Sequence, residues 1–269
     1  MTQIADSLAL ITGASRGIGA ATGIALARAG ASVILLARTQ SGLEQVASQI
    51  SKEGGTAYCY SVDLSAARSM AHISETIIAE HAVPDILINN AGTGKWLFTE
   101  ETPGGDAEEM MTLPYFAAFN LTRSLLPGML ARHSGHIVNI TSAVAYRAIP
   151  GATAYNAACW AIRGFTESLR ADLSRTGVKV MLMVPGTSST PGYSHYPGVE
   201  ERMPKILNIV PRLTPEKVAQ ALIRGIQRDQ QVVITPSLLR LMLGFNHLFP
   251  WLVEWLVIRT GWKHTSRGA

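Results

Sequence analysis

Cysteine is nearly absent: Cys59 and Cys159 are the two in 269 residues. They provide neither a disulfide framework nor a metal-ligand spacing, so the expectation is a reducing, cytoplasmic setting and no metal site. Charge is scarce as well. Only 16% of residues are charged against 47% hydrophobic, which excludes a disordered chain and leaves apolar surface for an interface, a membrane face or an oily pocket. The net charge of +4 comes from scattered Lys and Arg with no basic, aromatic-interleaved stripe, so nucleic acid is not expected as a partner. Met1 to Asp6 lacks a basic stretch followed by an apolar one, so no secretory signal is expected.

What is present points to one α/β domain, an ordinary size for 269 residues. Leu8 to Ile11 is a short apolar strand running into Thr12-Gly13-Ala14-Ser15-Arg16-Gly17-Ile18-Gly19, then into an Ala-rich helix ending near Gly30. Strand, glycine turn and helix start make a phosphate site, because glycines let the backbone approach a pyrophosphate and the helix N-terminus offers free N–H groups. Val33 to Ala37 is a second strand ending at Arg38, where a carboxylate would hold the ribose 2′-hydroxyl of NAD. The nearest acid is Glu44, inside the next helix. Arg16 and Arg38 instead offer charge and donors to a 2′-phosphate, which favours NADP(H); the other reading is two surface arginines.

Thr56 to Val62 reads as a third strand closed by Asp63, and Ile86 to Ile88 as a fourth leading into Asn89-Asn90-Ala91-Gly92. Ala107 to Arg132 reads as a long helix in which Pro114 removes a hydrogen bond and forces a kink. His136 to Ile140 is a buried strand. A helical pattern then runs from Thr153 to about Arg175, with Gly177 in the place of a C-cap glycine. Ser142 therefore falls at a strand end and Tyr155 in the first turn of the next helix. Val178 to Val184 is a sixth strand followed by Pro185-Gly186 and Thr190. Tyr193 to Pro211 reads as a substrate loop containing Tyr193, His195 and Tyr196. Thr214 and Pro215 start another helix as N-cap and N1, and Gln231 to Thr235 is a seventh strand.

These motifs resemble the short-chain dehydrogenase/reductase family over residues 5 to about 235. The resemblance implies a doubly wound, Rossmann-type parallel sheet of about seven strands. It implies a cofactor site of Gly13, Ser15, Arg16, Gly17, Ile18, Gly19, Arg38, Asp63 at the adenine edge, Asn90, Ala91, Gly92, Tyr155, Pro185, Gly186 and Thr190. Catalysis falls to Tyr155, whose hydroxyl gives or takes the proton, and Ser142, which holds the substrate oxygen. Two positions depart from the family. Cys159 stands where a lysine follows the tyrosine by four residues, and Pro114 stands where counting back thirteen residues from Pro127 should give an asparagine. Asn120 lies on the wrong part of the helix to replace it. The family helix bends at this point, so the bend is expected to persist without the amide. That lysine lowers the tyrosine pKa in the family; here Arg163, Lys95 or an acid carried by the substrate are the candidate replacements, and Cys159 reads as packing.

Three functions are carried forward. The first is an NADP(H)-dependent oxidoreductase interconverting a carbonyl and an alcohol on an apolar small molecule, with an atypical proton relay. The others are an NADP(H)-binding sensor or scaffold without turnover, and a non-redox lyase or isomerase reusing Tyr155. The family pairs its long helices across a two-fold axis, implying a homodimer or homotetramer. Residues 1–235 are assigned to the cofactor-binding domain and 236–269 to an apolar extension. Leu238 to Trp262 is interrupted by Arg240, His247, Pro250 and Glu254 and fails as a membrane span. A lid or interface is preferred there, with peripheral membrane contact as the alternative.

Overall fold

Val33-Ile-Leu-Leu-Ala37 and Ile86-Leu-Ile88 have no polar alternation, and both runs are buried, as parallel strands covered by helices on both faces must be. The computed structural model describes residues 2–188 and 199–263. Thr190, Tyr193, His195 and Tyr196 lie outside the described residues. Seven strands pair in parallel in the order β3-β2-β1-β4-β5-β6-β7: β1 Leu8–Thr12, β2 Ser32–Ala37, β3 Ala57–Ser61, β4 Ile86–Asn89, β5 Gly135–Ile140, β6 Val178–Pro185 and β7 Val232–Thr235. The expected doubly wound Rossmann-type sheet is therefore present. Its strand order reverses between β1 and β4, and ligands bind in the crevice at such a switch point.

Alternate residues of each strand feed two apolar layers. Ile11 and Leu35 pack with Leu26 of α1 (Gly17–Arg28), Leu43 of α2 (Gln40–Lys52) and Leu222 of a helix over Pro215–Gln227. Leu10 and Ile34 face the other way, onto Ile77 of α3 (Ala67–His81), Leu125 and Leu169. A polar rung crosses the middle of this core. Asn89 Nδ2 donates to Asn139 Oδ1 at 2.8 Å, and Asn139 Nδ2 donates to Thr166 Oγ1 at 2.9 Å. Buried amides without partners are costly, so the rung fixes the register of β4, β5 and the helix behind them.

The long helix expected over 107–132 is broken where Pro114 sits. α4 (Asp106–Met111) gives way to a π turn over Thr112–Phe116, then α5 (Ala117–Ala131). Lacking an N–H, Pro114 cannot continue the regular ladder. Ala117 N–H instead bonds back to the Thr112 carbonyl, one residue further than an α-helix reaches. α6 spans Thr153–Asp172 and stops three residues short of the expected end. Gly177 is not its cap: a Cβ there would lie 2.0 Å from the His133 carbonyl oxygen, so the glycine serves the turn into β6.

The expected substrate loop is partly helical, with α7 at Val199–Arg202 and a 3-10 turn at Lys205–Ile209. α8 (Pro215–Gln227) starts as expected, with Thr214 Oγ1 accepting from the Lys217 N–H. After β7, α9 (Ser237–Leu248) and α10 (Pro250–Thr260) meet at a bend of 118°. Arg147 holds that bend through Nε to Asn246 Oδ1 at 2.7 Å, Nη2 to the Pro250 carbonyl at 3.1 Å and Nη1 to Glu254 at 3.1 Å.

His136 at the start of β5 sets an acid limit on stability. Its Nδ1 lies 3.0 Å from Thr2 Oγ1, which donates its own proton to Asp229 Oδ1 at 2.6 Å, so the ring donates from Nδ1. Burial pushes its pKa down from 6.5 to about 4. The unfolded chain binds the extra proton first, so the stability is complete above pH 6.5 and is lost as pH falls toward 4. This group should contribute a loss of about 2 to 3 kcal/mol over that window. Urea unfolding of the wild type and His136→Phe at pH 7 and near pH 4 checks it: the variant should lack this part of the acid slope, and parallel slopes would contradict the assignment.

Candidate active site

The glycine turn is shaped by contacts that leave no room for side chains. Gly13 and Gly17 have φ of +66° and +59°, conformations that L side chains rarely adopt. A Cβ on Gly19 would come within 2.2 Å of the Gly13 carbonyl oxygen and 2.5 Å of Asn90 Nδ2. Hydrogen bonds tie the turn to the end of β4. Thr12 Oγ1 accepts from the N–H groups of Asn90 and Ala91, both at 2.9 Å, while Asn90 Nδ2 donates to the Thr12 carbonyl at 2.9 Å. Arg16, at the N-cap of α1, makes no side-chain capping bond. The first turn of α1 is thus free to meet a phosphate, and the residues fit a dinucleotide.

A cleft of about 530 Å³ opens here, and it collects most of the residues singled out in the sequence. Gly13, Ser15, Arg16, Gly17, Ile18, Arg38, Asn90, Ala91, Gly92, Ser142, Tyr155, Pro185 and Gly186 line it. Gly19 lies behind the turn, against Gly13. Asp63 is outside the lining, between Val62 and Leu64, which are part of it. Its carboxylate accepts from Ser65 N–H at 2.9 Å and Ser65 Oγ at 2.8 Å. Those bonds, with help from the charge of Arg38, hold it below the usual carboxylate range. Among the described residues Arg16 and Arg38 are the cationic side chains that line the cleft.

At the reactive end the Tyr155 ring stacks on Trp96 at 6.3 Å between centroids. It also presses on Gly94, where a Cβ would lie 2.7 Å from its Cδ2. One turn on, Cys159 is buried and its thiol is pushed up to about 12 by that burial, against hydrogen bonds from Tyr155, Thr141 and the Ser142 backbone. At neutral pH it is an uncharged thiol and a poor nucleophile, in keeping with a packing role. The proposed replacement cations point elsewhere. Arg163 donates to Glu167 at 2.8 Å and the Ala145 carbonyl at 3.0 Å, with its guanidinium 4.0 Å from the Tyr146 ring centroid. Lys95 Nζ donates to Asp106 at 2.8 Å, which with Glu109 raises its pKa. Neither side chain is part of the cleft lining.

Much of the remaining wall is apolar. Trp96, Leu113, Val144, Ile149, Leu207 and Leu239 line it, and Pro114 lies beside Leu113. Leu239 comes from α9, and Val257 of α10 packs in the same cluster as Trp96 and Cys159. Sequence reasoning missed Thr12 and Trp96, and it took in Leu239 only as part of the apolar tail expected to form a lid or interface. Trp96 had one signal, its position just past the Asn-Asn-Ala-Gly turn.

The short chain dehydrogenase family model matches residues 7–196. Probable oxidoreductase EphD of Mycobacterium tuberculosis is 30% identical over 258 residues, covering 91% of this chain and 43% of that protein. The chain thus spans less than half the length of this relative. Ketoacyl reductase HetN of Nostoc sp. is 32% identical over 265 residues, with 94% of this chain and 89% of that protein covered. A crystal structure of an actinorhodin polyketide ketoreductase with NADPH has 27% identity and a TM-score of 0.78, covering 87% of this chain and 97% of that one.

Gly19→Ala tests the cradle. The methyl group must displace the Gly13 carbonyl or the Asn90 amide, so the dissociation constant for NADPH should rise more than about tenfold, roughly 1.4 kcal/mol. Fluorescence titration measures it, and unchanged affinity in a folded variant would contradict the geometry.

Proposed function

The chain belongs to the short-chain dehydrogenase family, and from that premise we propose that it is an NADP(H)-dependent oxidoreductase interconverting a carbonyl and an alcohol on an apolar small molecule. Membership makes it an oxidoreductase that uses a nicotinamide cofactor; the phosphate preference and the substrate class belong to the proposal. One observation carries it: a single cleft joins a glycine turn and two arginines at one end to Ser142, Tyr155 and an apolar wall at the other. The names of the ketoacyl and polyketide reductases it is similar to favour a keto group as the reacting centre.

In this reading Gly13, Gly17 and the N-terminus of α1 hold the pyrophosphate, and Arg16 and Arg38 meet the 2′-phosphate. The bound nicotinamide supplies or takes the hydride. Ser142 donates a hydrogen bond to the substrate oxygen. Tyr155 gives its hydroxyl proton to that oxygen during reduction and recovers one during oxidation. Such proton transfer is worth about 10²- to 10⁴-fold in rate. Cys159 brings no charge to this step, and Arg163 and Lys95 are bound elsewhere. The same observation favours a second reading, an NADP(H) binder without turnover. Exposed Phe119 on α5 and Trp160 on α6, with Phe116 in the π turn just before α5, support pairing of two copies through these helices.

Two measurements test the proposal. NADPH should bind more tightly than NADH, and Arg38→Asp should reverse the order; equal affinities in the wild type would remove the 2′-phosphate assignment. Assays of NADPH oxidation against aliphatic, steroid and quinone-like carbonyls should find turnover. Tyr155→Phe should cut both directions by about 100-fold or more while NADPH binding persists. Turnover that survives Tyr155→Phe would overturn the assigned proton donor, and binding without any turnover would leave the second reading.

A further inference from the structure

The two C-terminal helices have faces of opposite use. Inward, Leu239 and Val257 are buried at 3% and 4% exposure. Outward, Leu241 and Leu248 are 70% exposed, Trp251 68%, Trp255 51% and Ile258 55%. The outer faces are linked across the bend by Phe245 and Phe249, whose rings lie 5.0 Å apart. Apolar side chains gathered this densely on a surface mark a contact with something else.

The charges on these faces say what that partner is. Arg240 and Arg259 are exposed and form no ion pair among the described residues, Arg259 lying 5.1 Å from the Trp255 ring centroid. Glu254, the acid of this pair of helices, is engaged by Arg147 at 3.1 Å. A second copy docked by a two-fold axis would bring four arginines, two from each copy, into one interface, with the acid already taken. An anionic lipid surface meets both the arginines and the apolar side chains. Tryptophan favours that boundary. At about 1.5 Å per residue, helices of 12 and 11 residues are ~18 and ~16 Å long, so neither alone crosses a hydrocarbon core of ~30 Å, and the pair, apolar enough together, is bent by 118°. No single helix among the described residues is long and apolar enough to cross. They would lie in the interfacial plane instead.

We propose that α9 and α10 form a surface that docks on an anionic phospholipid bilayer, with Arg147 holding the bend ready for contact. Leu239 lines the cleft from the inner side of the same helices, so docking would set the apolar wall of the cleft next to the lipid. The docking stands independently of which carbonyl is reduced, or whether any is.

Sedimentation of the full chain with vesicles tests it. Binding should be weak on phosphatidylcholine alone and strong when phosphatidylglycerol is mixed in. Removing both charges, Arg240→Gln with Arg259→Gln, should weaken the anionic preference about thirtyfold, from about 1 kcal/mol per residue. Trp251→Ser with Trp255→Ser should lose binding to both compositions while the melting temperature and NADPH affinity stay as in the wild type. In the unmutated protein, brominated phosphatidylcholine in the anionic vesicles should quench tryptophan fluorescence, which reads the contact without any substitution. Absence of sedimentation and quenching with anionic vesicles would overturn the proposal. So would self-association in light scattering that the tryptophan pair abolishes, which would assign the face to a second copy.

Discussion

The site depends on how closely the end of β1 approaches the end of β4. Thr12 and Asn90 exchange hydrogen bonds across this gap, and Gly19 packs so near Gly13 that no methyl group fits between them. This closeness opens the switch point of the sheet into a cleft and leaves the first turn of α1 uncapped. The two apolar layers hold the strands in place, and the Asn89–Asn139–Thr166 rung sets their register. Phosphate binding is thus a property of the backbone, which explains why glycines and short polar residues dominate this half of the cleft.

The other half is governed by neutrality. Cys159 lies one turn from Tyr155 with a thiol that burial keeps protonated, and the long cationic side chains nearby have found partners of their own. Arg163 ties α6 to the Ala145 carbonyl, and Lys95 is tied to the start of α4. Exposed or half-exposed ion pairs of this kind contribute little stability, yet they set where the charge sits. Among the described residues the cleft is therefore basic at its phosphate end and uncharged, largely apolar, at its reactive end. The tail fits this division, since Leu239 lines the apolar wall and Val257 packs in the cluster of Trp96 and Cys159.

Much of this was legible in the sequence, because short-range rules govern it. The strand, glycine turn and helix of residues 8–28 follow from apolar runs and glycine spacing, and Pro114 announced the break in its helix. What escaped depends on tertiary contact. Gly177 looks like a helix cap until the His133 carbonyl is seen 2.0 Å from where its Cβ would be. Arg163 and Lys95 have the length to reach many places, and only the positions of Glu167, Ala145 and Asp106 decide which one they take. Leu239 is far from the site in sequence, and only the return of the chain after β7 brings it to the cleft.

The central claim is that this cleft moves a hydride although the residue one turn after Tyr155 is the uncharged Cys159. Its most direct test is to follow the hydride itself. NADPH deuterated at the transferring C4 position, incubated with the wild type and an apolar ketone, should deliver deuterium to the carbinol carbon of the product alcohol. Mass spectrometry should find it there in the wild type and only at trace level with Tyr155→Phe. Tight binding of the labelled cofactor with no deuterated product from any of the carbonyls would contradict the account.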